Sequence, residues 1–367
     1  MSFTCIVIGN GSLVIHCADM LLARGHAIAA LVSGNTEVRA WAEARGLRVE
    51  IPGTDLADRL GPLKVDWLFS IANLAIVPDA VLAKATRGAI NFHDGPLPRY
   101  AGLNAPVWAL INRETRHGVT WHLIKNGIDE GDIVEQRLFD LDDGETALTL
   151  NTKCYGAAID SFSVLVAALE TGCPAPVPQA LDQRTYFGRW ARPAAAARLD
   201  FGQEPEALVA LVCALDFGHY WNPLARPKIE TGGQLLLVGE ARVASNPERS
   251  APGTVLAVAD DRLVVAAGSG AIALGRLTDM AGDPLPPTAI PLPGTVLPSL
   301  AAEAAEALTA AMAGLAPAEA HWRRRLADAA PARLPQAAPA AGPADLVHIP
   351  LELPAGLSGD RLPRPRA

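Results

Sequence analysis

Between Phe3 and His93 the chain alternates short apolar runs with amphipathic segments that stop at glycine, and this punctuation narrows the possible folds more than any other feature. FTCIVIG, HAIAALVS, RVEI, VDWLFSI and GAINFH are rich in β-branched and aromatic residues and read as strands. Ser12 to Arg24 and Glu37 to Arg45 read as helices, ended by Gly25 and Gly46 in the left-handed position that closes a helix. A further short helix starts near Pro78. Strand–helix alternation predicts an α/β fold: a Rossmann-like, mostly parallel sheet with right-handed crossovers.

From Asn104 a helix is expected to Asn112, with Asn104 as N-cap and Pro106 in its first turn. HGVTWHLI and DIVEQRLFDL read as two strands joined by KNGIDEG, and a long helix from about Ala147 to Glu170 follows. Past a connector near residue 195 the period changes. QLLLVGEARV and GTVLAVADDRLVVAAGSGAIALGRL read as a meander of short strands, the pattern of a small, OB-like β-barrel. SLAAEAAEALTAAMAGL and AEAHWRRRLADAA are helical, and Pro331 to Asp345 is rich in Ala and Pro, as linkers are. The expected division is a catalytic domain over 1–195, a β-rich subdomain over 196–285, and a helical, Ala/Pro-rich tail over 286–367.

Composition excludes several classes. Half of the 367 residues are hydrophobic and 19% are charged, which supports a packed core and argues against global disorder. The net charge of −8 argues against a nucleic-acid scaffold, which needs clustered Lys and Arg. Five cysteines, Cys5, Cys17, Cys154, Cys173 and Cys213, show no C-x-x-C spacing and lie in apolar runs, so reduced core thiols are expected. MSFTCIVIGNG lacks a basic leader and reads as a first strand; no uninterrupted apolar stretch suits a bilayer. The expectation is a soluble, cytoplasmic protein.

Three stretches carry candidate chemistry. VIGNGSLVIH offers a Gly-x-Gly turn, but Val14 replaces the third glycine of a dinucleotide loop and no acid ends the second strand, so a tight strand–helix turn explains it better. In GAINFHDGPLPRYAGLNAP, strand alternation puts Ile90 and Phe92 on one face, and Asn91 and His93 on the other. At the C-terminal end of a parallel strand such a pair fits either a ligand site or a hydrogen-bonded buried loop. NGIDEGD holds three acids near two glycines. It lacks the oxygen ligands of a calcium loop and suits a solvated hairpin turn, or a carboxylate set beside His93.

INFHDGPLPRYAG, HGVTWH and NGIDEGDIV together resemble the folate-dependent formyltransferase family. The match runs over roughly the first two hundred residues and departs from many members at HDGPLP, where they carry a Ser-Leu-Leu-Pro loop. The resemblance implies a catalytic triad of Asn91, His93 and Asp129 that needs no metal, with N10-formyltetrahydrofolate as the formyl donor. It also implies that the pterin lies against Leu74, Ala75 and Ile76, and against Lys125, Asn126, Gly127 and Ile128. HDGPLPRYAGLNAPVWALIN, RTYFGRW and ALDFGHYWNPLARPK look closest to formylation domains at the start of nonribosomal peptide synthetases and related hybrids. The acceptor so implied is an aminoacyl group on a carrier protein, with synthetase domains downstream. Amino-sugar N-formylation, methionyl-tRNA formylation, hydrolysis on the same triad and a non-catalytic docking module stand as alternatives. The aromatics of DFGHYWNP are expected to pack in the core or in a turn.

Overall fold

The computed structural model describes residues 1–125, 127–172, 175–246, 249–259 and 261–327. Asn126, Cys173 and the Ala/Pro-rich tail lie outside the described residues. Contacts divide the chain into a unit over Met1–Pro317 and a second over Ala318–Ala367.

In the first unit the expected alternation is present. It comprises β1 (Thr4–Gly9), α1 (Ser12–Ala23), β2 (Ala27–Val32), α2 (Thr36–Glu43), β3 (Val49–Glu50), α3 (Leu56–Leu60), β4 (Val65–Ile71), α4 (Asp79–Leu82) and β5 (Ala85–His93). A two-residue strand β6 (Ala101–Gly102), α5 (Ala105–Ile111), β7 (Arg116–Leu123), β8 (Ile133–Asp140) and α6 (Ala147–Thr171) follow. Seven strands form one sheet in the order β3-β2-β1-β4-β5-β7-β8. The pairs from β3 to β5 are parallel, whereas β7 and β8 are appended antiparallel. β1 is apolar on both faces, as a strand covered by helices on both sides must be.

Gly9 ends β1 because nothing larger fits. A Cβ there would stand 1.7 Å from the Ile71 carbonyl oxygen of β4. α1 buries Leu13, Val14, Cys17, Ala18 and Leu21 on one stripe. α6 starts at a reciprocal cap between Thr146 and Thr149. Among the described residues α6 is the one helix long and apolar enough to cross a bilayer, but its Ala158, Phe162, Leu165 and Val166 belong to the core beneath the sheet. Trp121 of β7 is fully buried there, its indole N–H donating to Ser161 at 2.9 Å.

Asn104 does precede α5, but in the left-handed conformation (φ 60°) and with no side-chain cap. Pro106 has no N–H to be capped, and the next donor, Val107, uses the Asn104 carbonyl instead.

After a short strand β9 (Tyr186–Phe187) and α7 (Pro205–Ala214) come six more strands: β10 (Lys228–Thr231), β11 (Gln234–Leu237), β12 (Glu240–Ala244), β13 (Val255–Ala259), β14 (Arg262–Ala267) and β15 (Gly270–Gly275). β10 and β11 make a hairpin whose two turn glycines both take positive φ. The remaining four form an antiparallel sheet in the order β12-β15-β14-β13, so β12 joins β15 and a simple meander is not what forms. Leu199, Ile229, Leu236, Val265, Ile272 and Leu297 form the core of this part. A second core is shared: Trp108, Leu110, Leu150 and Ala157 pack with Ala197, Ala214, Leu215 and Leu224. The last helix, α8, spans Ala302–Leu326.

Candidate active site

β5 ends where the sheet changes from parallel to antiparallel. On its inner face Ile90 is fully buried and Phe92 leans on Trp121, which leaves Asn91 and His93 on the opposite face. The β5–β7 register sets Asn91 across from His122, and His93 across from Thr120. Facing residues of an antiparallel pair share a side of the sheet, so His122 joins the Asn–His pair. Its ring Nε2 is 3.2 Å from Asn91 Nδ2.

Asp129 comes from the loop between β7 and β8, with φ 57° at its own Cα. One carboxylate oxygen, Oδ2, accepts the Gly102 N–H at 2.8 Å and stands 3.6 Å from His93 Nδ1. The other, Oδ1, is 3.4 Å from His122 Nε2. Three of the expected features thus converge, and Asp129's side chain is only 11% exposed. Burial alone would raise this carboxyl. The hydrogen bond of His122, the charge of His93 and the Gly102 N–H outweigh burial and hold it at about 2.

The hydrogen bonds assign ring protons. His93 Nε2 lies 2.8 Å from the Tyr100 carbonyl oxygen, which can only accept, so Nε2 carries the proton of the neutral ring. Nδ1 is then the basic nitrogen, and it faces Asp129. Once protonated there, it meets a carboxylate. His122 is arranged the other way: Nδ1 lies 2.9 Å from the Leu123 carbonyl and donates to it, so in the neutral ring Nε2 accepts from the Asn91 amide, and only the protonated ring donates from Nε2 to Asp129. One Asn91 N–H is thereby oriented and the second is available. Behind the site, buried His117 donates from Nε2 to the Asp94 carbonyl at 2.9 Å, and burial lowers its pKa and keeps it neutral.

Two glycines shape these loops. A Cβ on Gly131 would lie 1.6 Å from the Leu123 carbonyl oxygen, so only glycine lets the Asp129 loop close over β7. At Gly102 a Cβ would strike the Phe187 carbonyl at 2.1 Å.

The residues expected at the pterin occupy two loops. Leu74 and Ile76, 73% and 85% exposed, follow β4, whose Ser70 is in register with Asn91. Asn73 ties this loop through hydrogen bonds to both the N–H and carbonyl of Ala75. Lys125 pairs with Asp132 at 2.7 Å, and Gly127 and Ile128 precede Asp129, with Ile128 47% exposed. Asn126 lies outside the described residues. Exposed apolar side chains at a sheet's C-terminal edge suit a flat aromatic ligand. Among the described residues no group of three or more His, Cys, Asp or Glu side chains is arranged to hold a metal ion.

His122 is the functional candidate the sequence reading did not single out. Its signal was the same alternation: Thr120 and His122 share a strand face just as Asn91 and His93 do. In DFGHYWNP the expected turn is present, the Tyr220 N–H donating to the Phe217 carbonyl at 3.1 Å. Phe217 packs against the shared core, but Tyr220 and Trp221 are 75% and 56% exposed.

Sequence models of two domains match this chain: "Formyl transferase" over residues 24–164, and "Formyl transferase, C-terminal domain" over residues 193–290. Together they take in more than half of it. Solved structures share the fold. WlaRD, described as a sugar 3N-formyl transferase in the presence of dTDP and 5-N-formyl-THF, superposes with a TM-score of 0.59 at 17% identity, over 75% of this chain and 98% of its own. An N-formyltransferase from Helicobacter canadensis, in complex with folinic acid and dTDP-3-aminofucose, gives 0.60 at 18% identity, over 75% and 99%. HypX from Aquifex aeolicus, in complex with tetrahydrofolic acid, gives 0.53 at 19% identity, over 76% of this chain and 45% of HypX.

Proposed function

The chain belongs to the formyl transferase family, and we propose that it moves the formyl group of N10-formyltetrahydrofolate to the primary amine of an aminoacyl group on a carrier protein. The observation that supports the chemistry best is the meeting of Asn91, His93, His122 and Asp129 at one end of the sheet. An amide donor, a basic nitrogen and a carboxylate within hydrogen-bonding or ion-pairing reach are what acyl transfer to an amine requires.

In this reading the neutral amine attacks the formyl carbon, forming a C–N bond and a tetrahedral oxyanion. The free N–H of Asn91 donates to that oxygen. His93 Nδ1 takes the proton released by the attacking nitrogen, and Asp129 stabilises the resulting imidazolium. The same proton returns to N10 of the folate as its bond to the formyl carbon breaks. The folate's pterin rests on the loops of Leu74, Ala75 and Ile76, and of Lys125, Gly127 and Ile128.

The carrier-bound acceptor is supported by the likeness of ALDFGHYWNPLARPK and RTYFGRW to synthetase formylation domains, and by the exposure of Tyr220 and Trp221. In this reading the chain is cytoplasmic and synthetase domains follow it. A second reading, amino-sugar N-formylation, is favoured by the two sugar-acting structures that superpose along nearly their whole length. Incubation with formyl-tetrahydrofolate and each acceptor separates them. A gain of about 28 Da on the aminoacyl-carrier supports the first reading, and the same gain on a nucleotide-linked amino sugar alone replaces it with the second.

A further inference from the structure

The loop that carries Asp129 is held from behind by a segment some fifty residues further along the chain. We infer that Gln179 is a positioning residue for Asp129, acting from a strap over residues 177–187 that ties both halves of the site together. This rests on the formyl-transfer reading for its kinetic consequence, though not for its geometry.

The loop over residues 127–131 has an unfavourable backbone. Asp129 sits in the left-handed region at φ 57°, and Gly127 precedes it at φ 103°. That region costs energy for a non-glycine residue, though less for Asp than for most, and here side chains hold the loop in it. Those side chains belong to the strap. Gln179 Nε2 donates to the Asp129 carbonyl at 2.8 Å and to the Gly131 carbonyl at 2.6 Å. Arg184 donates to the Ile128 carbonyl at 3.0 Å and reaches Glu130 at 3.5 Å. Three carbonyls in four residues are therefore bound by two side chains. The amide of Gln179 has one sense only, because turning it over would set its oxygen against two carbonyl oxygens. Its Oε1 is buried without a partner among the described residues, so the side chain serves this loop and nothing else visible.

The strap's other contacts reach the His93 side. Val177 exchanges two backbone hydrogen bonds with Ile133 at the start of β8. Thr185 accepts the Tyr100 N–H on its hydroxyl at 2.7 Å and the Ala101 N–H on its carbonyl at 2.9 Å. β9 pairs with β6, and Phe187 accepts from Leu103. Tyr100 supplies the carbonyl that fixes His93, and Gly102 supplies the N–H that fixes the Asp129 carboxylate. One segment thus sets the acid's backbone, the acid's hydrogen-bond donor and the base's anchor.

The test uses the full chain with labelled histidine. Ring resonances of His93 and His122, assigned with His93→Ala and His122→Ala, are compared among wild type, Gln179→Met, Gln179→Glu and Asp129→Asn. Both Gln179 variants should move the two rings in the direction of Asp129→Asn and leave unmoved His26, which precedes β2 and pairs with Glu170 at 3.0 Å. Gln179→Glu keeps the shape without the donor, so it separates donation from packing. In formyl transfer, kcat should fall about ten- to a hundredfold in Gln179→Met, and by no further factor when added to Asp129→Asn. Unmoved rings, or an equal kcat loss in both backgrounds, would overturn the inference. If Gln179→Met does not fold, Arg184→Met probes the same loop through Ile128 by the same two readouts. A wild type that transfers no formyl group would remove the proposed function, while the ring resonances still decide the role of Gln179.

Discussion

Asn91 Nδ2 stands 3.2 Å from His122 Nε2, so the amide of one strand is oriented by an imidazole of its antiparallel neighbour. Asn91→Ala should lower kcat by about a hundred- to a thousandfold, the loss of one oxyanion donor, with the thermal midpoint little changed. His122→Phe should cost less, because it frees the amide without removing it. Steady-state kinetics of the two variants checks the ranking; an Asn91→Ala enzyme of near-normal kcat would take Asn91 out of the chemistry.

Asp129 should make stability depend on acid. Its folded pKa of about 2 lies below the ordinary 3.8, so the carboxylate stabilises the fold above pH 4, and that contribution fades as pH falls towards 2. For a side chain this buried the contribution is on the order of 2 kcal/mol. Urea unfolding of wild type and Asp129→Asn should therefore differ at pH 6 and converge near pH 2. Parallel curves across that range would show that the carboxylate's partners do not stabilise the fold.

Ser161→Ala should destabilise the chain by about 1–3 kcal/mol, since it strands the buried Trp121 N–H without an acceptor. Denaturant midpoints measure it directly. A neutral substitution would mean that another acceptor reaches the indole.

The thiols of Cys5, Cys17 and Cys154 are buried and pushed upward in pKa by that burial, Cys5 to about 12. Iodoacetamide at pH 8 should leave all three unmodified in the native chain and alkylate them once urea is added. Peptide mass mapping reads the outcome; rapid native alkylation would contradict the packing around them.

How far the site could be read in advance follows from where each constraint resides. Strand alternation is local, so Asn91 and His93 share a face whatever packs on them, and the sequence reading found them. His122 obeys the same alternation, but its value depends on β7 lying antiparallel beside β5, a pairing that no local signal states. Asp129 was legible as an acid in a Gly-flanked turn. Its left-handed backbone and the grip of Gln179 and Arg184 were not, because side chains that bind carbonyls fifty residues away leave no periodicity. The same holds for β12, whose apolar pattern is as expected while its partner is β15 and not β13. Asn104 kept its place before α5 and lost its capping role to the missing N–H of Pro106.

The core that joins Trp108, Leu110 and Leu150 to Ala214, Leu215 and Leu224 has a consequence for anyone transplanting this catalyst. A fragment ending near residue 195 would retain Asn91, His93, His122, Asp129 and the whole strap, yet would carry a bare hydrophobic flank where α7 had been. Chimeras that exchange the C-terminal part between relatives should place their junction beyond Leu224, so that α7 and the residues after it travel with the face they cover.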